Sequence, residues 1–136
     1  MKLYISGPMT GIKDYNKPAF DYAALRLSAF KIDTYNPAEH IVEGLPWQEY
    51  LKHDIQELVK CDGIALLKGW EQSRGASFEW LTAYMLGMNV YLFNENIGIM
   101  EMSLGEDRNT QELILLAAQV LFDVIGKNSF RHGGHT

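Results

Sequence analysis

The chain has 136 residues, 47% hydrophobic and 21% charged, with a single cysteine and a formal net charge of −5. This suits one compact domain with an apolar core, and it excludes a disulfide scaffold and a polymeric nucleic-acid binder that works by neutralising many phosphates. No stretch approaches the roughly 18 apolar residues of a membrane span, and the opening MKLYISGPMTG is too short in apolar residues for a signal peptide, so a cytoplasmic location and no membrane partner are expected.

Residues 3–6 form a short apolar run closed by Gly7-Pro8, which predicts a buried strand entering a loop. Asn16 is expected to cap the next element. Pro18, with its fixed φ, suits the first turn of a helix carrying Phe20, Ala23, Ala24, Leu27 and Phe30 at helical spacing. A second strand is expected over residues 32–36, stopped by Asn36-Pro37 because the residue before proline is pushed toward extended geometry. Residues 47–60 place Tyr50, Leu51, Ile55, Leu58 and Val59 on one helix face. The almost wholly apolar run 63–67 predicts a central parallel strand covered on both faces.

A loop over residues 68–74 leads to a third helix beginning near Gly75 and ending at Leu86-Gly87, where glycine takes the left-handed position. Residues 89–93 form a fourth strand and 110–125 a long amphipathic helix. Residues 97–102 fit a fifth strand, a lid or part of an interface, and 126–136 a poorly ordered tail. Strands alternating with helices predict an α/β fold: one domain over residues 1–125, a three-layer sandwich of Rossmann-like or flavodoxin-like type, with a mostly parallel four- or five-stranded sheet and helices on both faces. Such sheets gather ligands beyond the carboxyl ends of their strands, which brings together the loops at 7–17, 36–47 and 68–75.

The first loop, Ser6-Gly7-Pro8-Met9-Thr10-Gly11, offers glycines that let backbone N–H groups approach an anion and hydroxyls that add donors, although it also reads as an ordinary strand exit. Glu79 falls near the start of the third helix, where the macrodipole favours an ionised carboxylate suited to nucleophilic attack or to stabilising an oxocarbenium-like centre. Asp54 lies beside the apolar stripe of its helix and supplies a second acid, whereas Asp62 is expected to cap backbone groups in a turn. Tyr4 places a phenol on the first strand, and Trp47 and Trp70 flank the expected site as stacking surfaces for a planar base or as packing anchors. His40, His53, His132 and His135 show no metal-ligand spacing, and no Gly-x-Ser-x-Gly elbow is present, so neither a metal, another cofactor nor a serine triad is expected.

Four pieces taken together resemble the nucleoside 2-deoxyribosyltransferase superfamily, in particular the 2′-deoxynucleoside 5′-monophosphate N-glycosidases and their small, often phage-borne relatives. They are Leu-Tyr-Ile-Ser-Gly at 3–7, Asp54 with Asp62 eight residues on, Ser73-x-Gly75-x-x-x-Glu79, and A-Y-M-L-G-M-N-V at 83–90, spanning roughly residues 2–93. The resemblance implies that Glu79 is the nucleophile on the anomeric carbon, that Asp54 works beside it on leaving base and water, and that Tyr4 orients the catalytic carboxylate. It implies further that Gly7, Ser73 and Gly75 receive the sugar and its 5′ end. Pro8 and Thr10 stand where the glycosidases carry a serine and an arginine for the 5′-phosphate, so phosphate capture would fall to Thr10, Ser73, backbone N–H groups, Lys13 or Arg74. Ser6, Pro8, Thr10, Gly11, Trp47 and Trp70 complete the expected substrate-binding set.

The expected activity is hydrolysis, or exchange of the base, at the N-glycosidic bond of a deoxynucleotide or deoxynucleoside through a covalent glycosyl-Glu79 intermediate. The competing readings are a non-catalytic nucleotide-binding module and an interaction protein using the same cleft. A homodimer or higher homo-oligomer is expected, as in the resembling family.

Overall fold

The computed structural model describes residues 1–96 and 98–101. Over that span the chain is an α/β protein whose elements run β1 (Lys2–Ser6), α1 (Lys17–Ala29), β2 (Asp33–Tyr35), α2 (Trp47–Leu58), β3 (Gly63–Leu66), α3 (Arg74–Met85), β4 (Asn89–Asn94) and β5 (Gly98–Glu101). The strands form one sheet in the order β2-β1-β3-β4-β5. The first four are parallel, and β5 turns back antiparallel on β4, pairing Asn94 with Gly98 and Tyr91 with Glu101. The segment that the sequence left open between strand, lid and interface is therefore, over residues 98–101, an edge strand. The expected helix at 110–125 and tail at 126–136 lie outside the described residues.

Alternation along the strands divides the core. Leu3, Ile5 and Ala65 point to the side covered by α1, meeting Phe20, Ala23 and Leu27. Tyr4, Ile64, Leu66 and Val90 point to the opposite side, against Leu58 of α2 and Ala76, Trp80 and Ala83 of α3. Both faces of β1 and β3 are buried, which is why those segments are nearly continuous apolar runs and not alternating ones.

Local chemistry sets most helix ends. Pro18 occupies the first turn of α1, Ser73 caps α3 by accepting the Ala76 N–H at 3.2 Å, and Gly87 takes φ +69 just beyond α3. Asn16 does not act as the expected cap. Its backbone is left-handed (φ 60, ψ 21), not the extended geometry that lets a cap side chain reach back to the helix N–H groups, and its carboxamide donates instead to the Pro8 carbonyl at 3.0 Å. Phe30, expected on the buried stripe of α1, ends up 64% exposed because α1 stops at Ala29. Among the described residues no helix is long and apolar enough to cross a membrane.

Asp62 links the two ends of the central strands. Its carboxylate accepts the Lys2 N–H at 2.7 Å and its own N–H donates to the Lys2 carbonyl at 2.8 Å. Next to it, Gly63 has no room for a side chain: a Cβ there would stand 2.6 Å from the Asn89 carbonyl oxygen and 3.1 Å from the Leu3 side chain. Gly63→Ala is expected to cost about 2 kcal/mol, as overpacking of a closed interior does, read as a lowered urea midpoint at unchanged slope.

Candidate active site

A cavity of about 590 Å³ opens at the carboxyl ends of the strands, within the size range of small-molecule sites. Its walls are the loop after β1 (Gly7, Pro8, Met9, Thr10, Tyr15), the loop after β2 (Pro37, Ile41, Glu43), one side of α2 (Trp47, Tyr50, Leu51, Asp54) and the start of α3 (Ser73, Arg74, Gly75, Ala76, Glu79). It sits at the switch in strand order. From β1 the chain crosses to β2 on one side and then returns to β3 on the other, so the loops diverge and leave a crevice above β1.

Glu79 is 5% exposed and lines this cavity from the second turn of α3. The Tyr4 hydroxyl donates to its Oε2 at 2.5 Å and the Ser6 hydroxyl to its Oε1 at 2.7 Å. Both donors stand two residues apart on β1, hence on the same face of the strand, the one that α3 covers. The expectation of a carboxylate kept charged by the helix start is corrected by this placement. Glu79 lies past the first turn and out of water, and burial, followed by the nearby charge of Asp54, pushes it up to about 8, against the pull of the two hydroxyl donors. The anion, once formed, has a donor on each oxygen.

Asp54 lines the same cavity from α2 and is half-buried. Burial raises it to about 6, with His53 and the Tyr4 phenol pulling the other way. Tyr4 is thus felt by both carboxyls, and burial first, then the charge of Glu79, holds its own proton well above the usual tyrosine range. The Tyr4 ring is fixed by stacking on Tyr35 (5.6 Å, 9°), which stacks in turn on His40 (5.1 Å, 10°). The Tyr35 hydroxyl and His53 Nε2 lie 3.2 Å apart, which ties Tyr35 to the residue next to Asp54.

Of the residues singled out in the sequence, Gly7, Pro8, Thr10, Trp47, Asp54, Ser73, Gly75 and Glu79 all line the cavity. Tyr4 and Ser6 lie behind Glu79, fully buried, and act on the carboxylate and not on the open space, so Ser6 is a positioning group where direct substrate contact was expected. Gly7 is glycine because a Cβ would meet Leu67 Cβ at 2.8 Å. Gly11 and Lys13 do not line the cavity.

Trp70 does not reach it either. It is 4% exposed, its ring lies against Trp80 (5.4 Å, 41°), and it borders a separate hollow beside α1 and β4. Two apolar rings meeting across a core bury more surface than one at a rim, and that decides its position. Arg74 lays its guanidinium over the Trp47 ring at 4.6 Å. Tyr15 and Tyr35 escaped the sequence reading; the only signal for Tyr15 was its place between Asp14 and Asn16, two residues that tolerate left-handed backbone. Among the described residues no three His, Cys, Asp or Glu side chains converge as a metal ion would require.

The raised proton affinity of Glu79 ties stability to pH. The folded state holds this proton more tightly than the unfolded chain, so the associated stability is fully present below the ordinary glutamate range and is lost as pH rises toward about 8. Glu79→Gln is expected to match wild type near pH 4.5 and to exceed it by up to a few kcal/mol near pH 8, each tenfold in proton affinity being worth about 1.4 kcal/mol. Urea unfolding at both pH values checks this, and a pH-independent difference would refute it.

No curated protein and no solved structure matches the chain. Residues 1–92, a span that holds every residue of the cavity, match the family model of a domain of unknown function, DUF4406, and the chain belongs to that family.

Proposed function

We propose that the chain is an N-glycosidase that cleaves the bond between base and deoxyribose in a small nucleoside or nucleotide. One observation carries the reading: a buried carboxylate with a hydroxyl donor on each oxygen faces a ligand-sized cavity that a second, half-buried carboxyl also lines. Paired carboxyls of unequal environment are what retaining glycosyl transfer needs, one as nucleophile and one as acid and then base. The four-piece resemblance to the nucleoside 2-deoxyribosyltransferase superfamily supports the same assignment. The strand order 2-1-3-4-5 with apolar clusters on both sheet faces supports a flavodoxin-like three-layer sandwich.

In this mechanism a Glu79 oxygen attacks the anomeric carbon as the carbon–nitrogen bond breaks, and the bonding pair leaves with the base, which takes a proton from Asp54. Tyr4 and Ser6 hold the carboxylate in line during attack. Water, deprotonated by Asp54, then attacks the same carbon and releases Glu79, giving free base and free sugar. A second base in place of that water gives exchange; hydrolysis is the assigned outcome, following the short hydrolase branch of the resemblance. Between about pH 6 and about pH 8 the pair holds one proton, resting on buried Glu79. The reactive form has that proton on Asp54, and positive charge developing at the anomeric carbon favours the Glu79 anion. The protein is proposed to work in the cytoplasm as a homodimer.

The test is incubation with the deoxynucleosides and their 5′-monophosphates, with and without an acceptor base, assayed for free base and exchanged nucleoside. Release of base is expected, with kcat/KM bell-shaped in pH: the acid limb near 6, below which the pair carries two protons and no nucleophile, and the alkaline limb near 8, above which no acid remains. Glu79→Ala and Glu79→Gln are expected to abolish turnover with the fold intact, and Asp54→Asn to lower it about 10²-fold. Binding without base release would leave a non-catalytic nucleotide module, and full activity in Glu79→Gln would refute the covalent route.

A further inference from the structure

The loop between β1 and α1 contains three successive non-glycine residues in the left-handed region: Asp14, Tyr15 and Asn16, at φ 53, 54 and 60. Aspartate and asparagine enter that region readily because their short polar groups bond locally. A tyrosine does not, since its Cβ crowds the following carbonyl. Such a conformation persists where the surroundings over-determine it, and here two contacts do so: Asn16 donates to the Pro8 carbonyl at 3.0 Å and the Tyr15 N–H to the Ile12 carbonyl at 2.9 Å.

What the strained turn achieves is the position of one side chain. Tyr15 enters the cavity wall while 44% exposed. Tyr4, Tyr22, Tyr35 and Tyr84 each lie against another ring, whereas among the described residues the rings of Tyr15 and Tyr50 in this wall stack on none and their hydroxyls make no hydrogen bond, and of these two Tyr15 alone stands on left-handed backbone. Packing therefore does not account for the turn. Of the two tryptophans expected to stack on a base, Trp70 lies in the core and Trp47 already has its ring engaged by the Arg74 guanidinium. We infer that Tyr15 is a ligand-binding residue whose ring is the wall on which the planar base stacks, and that the left-handed turn at 14–16 exists to aim it. The class of ligand rests on the glycosidase reading; the exposed, aimed ring does not.

The experiment measures equilibrium binding by the full chain carrying Glu79→Gln, so that bound nucleoside is not consumed. The probes are the four deoxynucleosides and their 5′-monophosphates, against base-free 2-deoxyribose and 2-deoxyribose 5-phosphate. Adding Tyr15→Leu is expected to weaken the base-containing probes at least about tenfold while changing the base-free probes less than about twofold, and Tyr15→Phe to stay within about threefold of the parent. Tyr22→Leu, on α1 and 41% exposed but outside this cavity, is the control for general loss of aromatic surface. Asn16→Gly is the second variant: glycine accepts φ 60 freely but removes the tie to Pro8, so the fold should persist with a melting temperature lowered by no more than the loss of about one hydrogen bond, while base-dependent affinity falls.

Equal loss on both probe classes, no loss in Tyr15→Leu, a like loss in Tyr22→Leu, or base-containing probes that bind no better than base-free ones would overturn the inference. The two readings fail separately. Tyr15-dependent binding without base release by wild type removes the glycosidase and keeps the stacking wall. Base release by Tyr15→Leu at unchanged KM removes the wall and keeps the glycosidase.

Discussion

A carboxyl group buried beside a sheet must either keep its proton or be met by donors, because an unpartnered charge out of water is too costly to fold around. In this chain the Glu79 carboxyl has both resources. Its proton affinity is raised by burial, and the hydroxyls of Tyr4 and Ser6 wait on its two oxygens. The arrangement demands that β1 lie inside the sheet, that its even-numbered side chains face α3, and that α3 start at the carboxyl end of β3. The parallel register of β1 with β3 and the cap at Ser73 supply those conditions.

The rest of the site grows outward from that contact. Tyr4 can hold a fixed hydroxyl only if its ring is fixed, and the stack through Tyr35 to His40 does this from β2 and the loop beyond it. Asp54 comes from α2, a helix whose Tyr50 and Leu51 also line the cavity, so that its apolar stripe faces the cavity as well as the core. The first loop passes close over Leu67 at Gly7 and then turns left-handed at 14–16. Tyr15 in that turn costs of order 1 kcal/mol, a load that the closed core on both sheet faces can sustain.

Much of this was readable in one dimension. The apolar runs at β1 and β3, the proline opening α1 and the glycine after α3 are local signals, and they placed those elements within a few residues. The alternating order of elements brought Glu79 and Asp54 toward one end of the sheet. Signals that depend on a neighbour in space were misread. Asn16 has the composition of a cap but not the backbone for one; Trp70 has the composition of a stacking surface but finds Trp80 first; Tyr35 carried no signal at all, because its role is set by the rings of Tyr4 and His40 from other segments.

The same division holds for the chemistry. Sequence alone determined which ionisable groups the chain owns, the α/β alternation that carries them to the ligand edge, and the pairing of an early helix glutamate with a second acid. It could not determine their state. A helix-start position argues for an ionised Glu79, whereas the folded chain places that carboxyl one turn deeper and out of water, and proton affinity follows the local dielectric and the nearest charges, not the position in the chain. Tertiary structure likewise decided that Ser6 serves the carboxylate, that Trp70 serves the core and that Tyr15 faces the cavity. Those outcomes depend on distances between residues far apart in sequence, and a single chain's pattern holds no measure of such distances until it has folded.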